Sequence, residues 1–294
     1  MGKSADDVDE PLTERARAKL NLALHVLARR SDGYHRIDTV VVFAEIADGL
    51  AARPAPALML ELDGPFASAA PAGESNLVLR AARMLQAEKR TSGGAHLALT
   101  KNLAVEAGIG GGSADAAAAL RLLDRMWGCD LGIAGLARIG ARLGADVPMC
   151  LYSRPLRAGG VGEDIAPLAG LPRFDLVLVN PGGRLATADI FAALPDREGG
   201  GIGEVPRGFK DVADLAAFLG SLRNDLQATA CARVPEIAAI VRELAARPGC
   251  LMARMSGSGP TVFGIFATAA DASRAAGEMK ARHSDWWVAA TRAA

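Results

Sequence analysis

Val105-Glu106-Ala107-Gly108-Ile109-Gly110-Gly111-Gly112-Ser113-Ala114 stands between a short apolar stretch, His96 to Thr100, and an alanine- and leucine-rich run over 114–126. The first has the length of a strand and the second has near-maximal helix propensity, so strand, glycine loop and helix are predicted in immediate succession. Several glycines ahead of a helix N-terminus let backbone N–H groups converge on an anion with no side chain in the way, which is what a phosphate tail requires. Ser113 is placed to cap the helix, and its hydroxyl to reach a phosphate or its magnesium ion. No Gly-Lys-Ser/Thr follows, which excludes a Walker loop. Ser113 also occupies the position where Gly-x-Gly-x-x-Gly needs its last glycine, so a dinucleotide-binding fold is the inferior reading.

Upstream, Leu20, Leu22, Leu24 and Val26 alternate with Lys19, Asn21, Ala23 and His25, a strand pattern that gathers Lys19, Asn21 and His25 on one face. Asp32-Gly33 signals a turn, and 37–46 returns as a β-branched run, so the opening reads as a strand pair. Residues 76–87 have helical spacing beneath Ser75 as N-cap. Downstream, a helix over 133–143 ends at Gly144. Pro148 lacks an amide donor and biases Val147 away from helix, which puts Asp146 on a turn or strand edge. A strand over 174–180 ends at Pro181-Gly182-Gly183. Residues 194–209, rich in Gly, Pro and charge, read as a flexible surface loop, and Gly199-Gly200-Gly201-Ile202-Gly203 within them has no flanking strand or helix. Helices near 212–222 and 235–246 precede Ser256-Gly257-Ser258-Gly259-Pro260. A strand over 261–266, a helix over 271–282 and a final strand over 286–290 complete an α+β pattern.

The 294 residues leave room for two domains, and a composition half hydrophobic and 4% aromatic belongs to a folded chain. The 33 basic residues cancel the 33 acidic ones, and no stretch forms the cationic footprint of a nucleic-acid or anionic-lipid partner. No apolar run approaches the roughly 20 residues that span a bilayer, and the polar stretch from Met1 to Glu14 lacks a signal core, so a cytoplasmic setting is expected. Cys129, Cys150, Cys231 and Cys250 lie far apart with no CxxC and no histidine at ligand spacing; they read as reduced core thiols, and no protein metal site is expected.

Three segments in order, Lys19-Leu20-Asn21-Leu22, the glycine loop with its flanks, and Ser256-Gly257-Ser258-Gly259-Pro260, resemble the three motifs of the GHMP kinases, and the match spans nearly the whole chain. Asp32-Gly33-Tyr34-His35, Gly144-Ala145-Asp146-Val147-Pro148 and Asn224-Asp225-Leu226 resemble the branch of that superfamily that phosphorylates the 2-hydroxyl of 4-diphosphocytidyl-2-C-methyl-D-erythritol. Two departures stand out: Ala104 where the second motif usually begins with proline, and Ala114 where a second serine often follows the glycines.

The resemblance implies a two-domain α+β fold, with a ribosomal protein S5 domain 2-like half over 1–165 and a ferredoxin-like half over 166–294. It implies ATP as donor, magnesium arriving with ATP, and a monomer or homodimer without nucleic-acid or membrane partners. By resemblance Asp146 accepts the proton of the substrate hydroxyl, and Lys19 holds that carboxylate and stabilises charge on the acceptor or γ-phosphate. ATP would lie along Val105, Glu106, Ala107, Gly108, Ile109, Gly110, Gly111, Gly112, Ser113 and Ala114, with Asn76 and Lys101 near the adenosine. Asn21 would bind the methylerythritol part and Tyr34, His35 and Phe191 the cytosine. Ser256, Gly257, Ser258 and Gly259 would complete the substrate site. Homoserine or phosphomevalonate kinase is the nearest rival, which Tyr34-His35 disfavours; a regulatory protein that binds nucleotide without catalysis is disfavoured by the presence of both Lys19 and Asp146.

Overall fold

The structure, a computed structural model, describes residues 10–91, 93–183, 185–195 and 199–293. Its contacts divide the chain into two compact units that interleave along the sequence. One comprises residues up to Ala16, Ala47–Val105 and Gly112–Leu151; the other comprises Arg17–Ile46, Glu106–Gly111 and the chain from Tyr152. The boundary expected at residue 165 therefore falls inside the second unit. Two long strands, β1 (Leu12–Arg29) and β2 (His35–Ala55), pair with each other and contribute residues to both units.

In the first unit β3 (Leu58–Asp63) and β4 (Gly94–Thr100) run parallel, joined by the crossover helix α1 (Leu77–Lys89), and Gly49–Ala55 of β2 lies antiparallel on the other side of β4. Such a parallel pair needs a long crossover, and α1 supplies it. Asn76, rather than Ser75, caps α1: its Oδ1 accepts the Val78 N–H at 2.9 Å, while Ser75 Oγ donates back to Ala72 O. Then come α2 (Gly111–Met126), α3 (Gly132–Leu143) and α4 (Val147–Tyr152). The short side chains of Ala114 and Ala116–Ala119 bury one turn after another of α2. Val147 is helical, contrary to expectation, because Pro148 is the second residue of α4, where a missing N–H removes no helical bond.

In the second unit β2 pairs antiparallel with β5 (Leu156–Gly159), and β5 with β6 (Asp164–Pro167). The chain continues through β7 (Asp175–Asn180), α5 (Thr187–Ala192), α6 (Val212–Gly220), α7 (Gln227–Arg233), α8 (Glu236–Ala245), β8 (Cys250–Met255), β9 (Val262–Phe266), α9 (Ala269–Arg282) and β10 (Trp287–Arg292). The last four strands make an antiparallel sheet in the order β10-β7-β9-β8, the ferredoxin-like arrangement that the resemblance implied. Ile237, Ile240 and Leu244 of α8 and Ala275 and Met279 of α9 share a core with Val177, Val179, Val262 and Phe266 of that sheet.

Between Ala16 and Val26 nearly every side chain of β1 is buried, on both faces of the strand. The polar positions of the alternation therefore do not face water, and each must find partners inside. The 199–203 loop is likewise not free. Gly199 N–H donates to Leu27 O at 2.7 Å, and Ile202 N–H donates to Asp38 Oδ2 at 2.8 Å. Asp38 is gripped by both ends of the Arg157 guanidinium at 2.7 and 2.6 Å. Burial pushes the Asp38 pKa up, but the Arg157 hydrogen bond and the Ile202 N–H outweigh it and hold the carboxyl below its ordinary range. No described helix is long and apolar enough to cross a membrane. The four cysteines are free thiols, two buried and two half-buried.

Candidate active site

The glycine loop turns through left-handed backbone at Glu106, Gly108 and Gly110, with φ of +54°, +70° and +66°. At Gly108 no side chain fits, since a Cβ there would stand 2.3 Å from Gly259 O. The loop is thereby pressed against the Ser256–Gly259 turn, and two of its carbonyls face protein donors. Ala107 O accepts from Thr261 Oγ1 at 2.6 Å, and Ile109 O accepts from the Lys19 N–H at 2.8 Å. Helix α2 begins at Gly111, so Ser113 is its third residue and not its cap. That puts the amides of Gly111, Gly112 and Ser113 in the first turn, where helical geometry provides no acceptor and the helix dipole favours an anion.

Lys19 is 4% exposed, and its Nζ donates to Asn21 Oδ1 at 3.1 Å. Asn21 Nδ2 donates to Thr39 Oγ1 at 2.8 Å, and the Asn21 N–H donates to Ser256 Oγ at 3.0 Å. Asn224 holds the same turn from beneath, its Nδ2 donating to Met255 O and Gly257 O, both at 2.8 Å. Asp225 accepts the Val26 N–H at 2.7 Å and so ties the end of β1 to this frame. Ser258 Oγ lies 2.8 Å from Thr187 Oγ1 at the start of α5. One turn on, Phe191 stacks on His35 with ring centroids 5.3 Å apart and planes 29° from parallel. Tyr34 stands 64% exposed, its N–H on Asp32 Oδ1 in an Asx turn. The second unit thus brings together Lys19, Asn21, Gly108–Gly111, Ser256–Gly259, His35 and Phe191.

His25 does not join this set. Its two ring nitrogens are engaged by Gly200 O at 3.1 Å and the Arg223 N–H at 3.3 Å, and burial lowers its pKa, so it is a neutral ring pinning the 199–203 loop.

The first unit carries Asn76, Lys101, Ser113 and Asp146. Asp146 occupies the turn just ahead of α4, half-buried, its carbonyl accepting the Cys150 N–H at 3.1 Å. The side chains of Asn76 and Lys101, expected near the adenosine, are engaged by partners within the protein. Asn76 uses both ends of its amide, on Val78 and on Pro71 O. Lys101 Nζ is held between Asp48 and Asp115, 2.6 Å from the latter, with all three side chains at most 5% exposed. Burial works against the Lys101 ammonium, but Asp115 and Asp48 outweigh it and raise its pKa. Asp48 also accepts the N–H groups of Asn102 and Leu103 through Oδ1. Asp115 is less well served: its Oδ1 has no hydrogen-bond partner among the described residues, and burial pushes its carboxyl up to about 7.

Thr39, Thr187, Asn180, whose Nδ2 donates to Thr261 Oγ1 at 2.9 Å, and the Asp48–Asp115 pair are absent from the set expected of the sequence. Each is a short polar residue in an apolar run or helix start, where only the paired residue in space gives it meaning. No group of three or more His, Cys, Asp or Glu residues among those described is arranged to hold a metal ion.

The sequence profile of the GHMP kinases N terminal domain matches residues 76–154, and that of the GHMP kinases C terminal matches 206–285. The 4-diphosphocytidyl-2-C-methyl-D-erythritol kinase of Parvibaculum lavamentivorans is 51% identical over 286 residues, covering 95% of this chain and 97% of its own. A crystal structure of 4-(cytidine 5'-diphospho)-2C-methyl-D-erythritol kinase superimposes with a TM-score of 0.78 at 32% identity, covering 96% of this chain and 99% of that one. A homoserine kinase from Cytophaga hutchinsonii shares the fold at 14% identity, with a TM-score of 0.72, 100% of this chain covered and 97% of that one. With half its residues shared over almost its full length, this chain belongs to the 4-diphosphocytidyl-2-C-methyl-D-erythritol kinases, within the GHMP kinases.

Proposed function

We infer that the chain transfers the γ-phosphate of ATP to the 2-hydroxyl of 4-diphosphocytidyl-2-C-methyl-D-erythritol, releasing ADP, as a step of the non-mevalonate route to isoprenoid precursors. The observation that carries this reading is the buried Lys19 hydrogen-bonded through its own N–H to the glycine loop, so that a cation and a phosphate cradle are built as one piece. Phosphoryl transfer passes through a loose transition state and asks mainly for in-line placement and charge neutralisation. Here the amides at the start of α2 and the Ser113 hydroxyl would hold the phosphates. Lys19 would neutralise charge on the γ-phosphate and the acceptor oxygen, and Asp146 would take the proton that leaves the hydroxyl.

Magnesium would come with ATP and would supply charge neutralisation on the phosphates. Such an ion keeps most of its ligands from phosphate and water and needs only one or two oxygens from the protein, and the half-buried Ser113 hydroxyl in the first turn of α2 fits that need.

The His35–Phe191 stack supplies a flat apolar platform for a pyrimidine, and the exposed Tyr34 beside it is free to close on the other face. Stacking on an aromatic ring is worth about 1–3 kcal/mol per base. Phe191→Ala is therefore expected to raise KM for the cytidylyl substrate about tenfold to a hundredfold while KM for ATP stays within about twofold. The assay is ADP release with the cytidylyl substrate, with homoserine, and with neither. Release with homoserine alone would overturn the reading, and ATP binding without any acceptor-dependent release would favour a non-catalytic role.

A further inference from the structure

Thr39 lies fully buried near the start of β2, and its hydroxyl has two neighbours that permit only one arrangement of protons. Ala23 O, 2.6 Å away, can only accept, so the hydroxyl proton goes there. The Thr39 oxygen is then an acceptor on its other side, where the Asn21 amide stands at 2.8 Å. Only the NH2 end of a carboxamide donates, so Nδ2 faces Thr39 and Oδ1 is turned toward Lys19 Nζ at 3.1 Å. An ammonium has no lone pair, and the oxygen end of the amide is the one it can use. The chain Lys19 to Asn21 to Thr39 to Ala23 thus runs in one direction and is anchored at its far end on the backbone of β1.

A carboxamide rotated by half a turn occupies the same volume, so packing alone would not choose between the two orientations of Asn21. The rotated form would set NH2 against the Lys19 ammonium, donor against donor, and oxygen against the Thr39 oxygen. The Thr39 hydroxyl, with its proton spent on Ala23, forbids this form. Its selectivity is passed to Lys19. The Asn21 backbone is held in place independently, by its N–H on Ser256 Oγ, so what Thr39 governs is the amide's rotation and not the residue's position.

We propose that Thr39 is a positioning residue for phosphoryl transfer, fixing the orientation of the Asn21 amide and through it the placement of the Lys19 ammonium. The proposal rests on the reading of Lys19 given above. It is tested on the full chain by measuring kcat and both KM values for Thr39→Val, Thr39→Ser and Lys19→Met. Thr39→Val keeps the size of the side chain and removes the hydroxyl. It is expected to lower kcat about tenfold to a hundredfold, the scale of one hydrogen bond to a charged group, with KM for ATP within about twofold. Thr39→Ser, which restores donor and acceptor, is expected to recover most of the lost kcat.

Wild-type kcat in Thr39→Val, beside an inactive Lys19→Met, overturns the proposal and leaves the lysine reading intact. Full turnover in Lys19→Met overturns the lysine reading itself. Equal losses in the Val and Ser variants assign the effect to packing and overturn the relay. Should Thr39→Val not be recovered folded, Thr39→Cys takes its place under the same criteria, its thiol being a poor acceptor of similar size.

Discussion

Lys19→Met is expected to lower kcat by about 10²–10³-fold while leaving the protein folded and able to bind ATP. The methionine fills the same volume, so the packing of β1 is kept and only the charge and its hydrogen bonds are lost. Removing one preorganised donor from a developing anion costs about 10²–10³-fold in acyl-transfer enzymes, and the charge spread over a transferring phosphoryl group makes the same demand. Asp146→Asn is expected to lose about 10²–10⁴-fold, the range for removing a general base. The double variant discriminates between two kinds of participation. If both residues serve one proton transfer, it falls little below the worse single variant; if they act independently, the losses multiply. Near-normal turnover in either single variant removes the assignment.

Lys101→Met is expected to destabilise the protein by about 3–5 kcal/mol at pH 8, read from urea unfolding, because it leaves Asp48 and Asp115 buried without their cation. The pH dependence has a definite sign. Asp115 has a folded-state pKa raised to about 7 by burial, against an ordinary value of 3.8. Its contribution to stability is therefore fully present below about pH 4 and is lost as pH rises to about 7, where the folded protein must ionise a carboxyl with one unsatisfied oxygen. Asp115→Asn puts a neutral amide in that place and keeps an acceptor for Lys101. Its unfolding free energy is expected to lose the slope between about pH 4 and pH 7 that the wild type shows. At pH 5 the Lys101→Met penalty is expected to shrink, because loss of the cation raises the Asp115 pKa further and leaves that group protonated. A wild-type stability that rises with pH over this range would show that Asp115 is ionised in the folded state throughout.

The glycine loop was legible because its information is local: glycines, strand and helix stand side by side, and no distant residue is needed to read them. The same holds for the β-branched return over 37–46 and for the helices over 133–143 and 271–282. Cap and turn details were lost where two adjacent residues could do one job. Ser75 and Asn76 are both competent N-caps, and only the backbone decides that Asn76 takes the Val78 N–H. Pro148 can end a helix or sit in its first turn with equal local sense. Strand β8 was missed because Arg254 interrupts its apolar run. The structure explains the arginine by long-range partners, since its guanidinium donates to the carbonyls of Leu22, Leu219 and Leu222 and burial lowers its pKa to about 10.

Lys101 shows the same limit at the site. Its sequence neighbours give no sign of Asp48, so the buried triad it forms with Asp48 and Asp115 was not legible. Within the flexible loop expected at 194–209, residues 199–202 are seated on Asp38, Leu27 and His25, which lie far upstream.

The interleaving of the two units has a consequence for how the chain is made. Lys19 and Asn21 leave the ribosome well before the residues that close the unit housing them. Asn224 and Ser256 brace β1, and β10 pairs with β7 after all the intervening chain has been synthesised. The first unit, by contrast, draws its last segment from no further than Leu151. During translation helix α2 can therefore settle into its own unit while β1 still waits, and a chain stopped short of Asn224 would carry Lys19, Ser113 and Asp146 without the residues that brace β1.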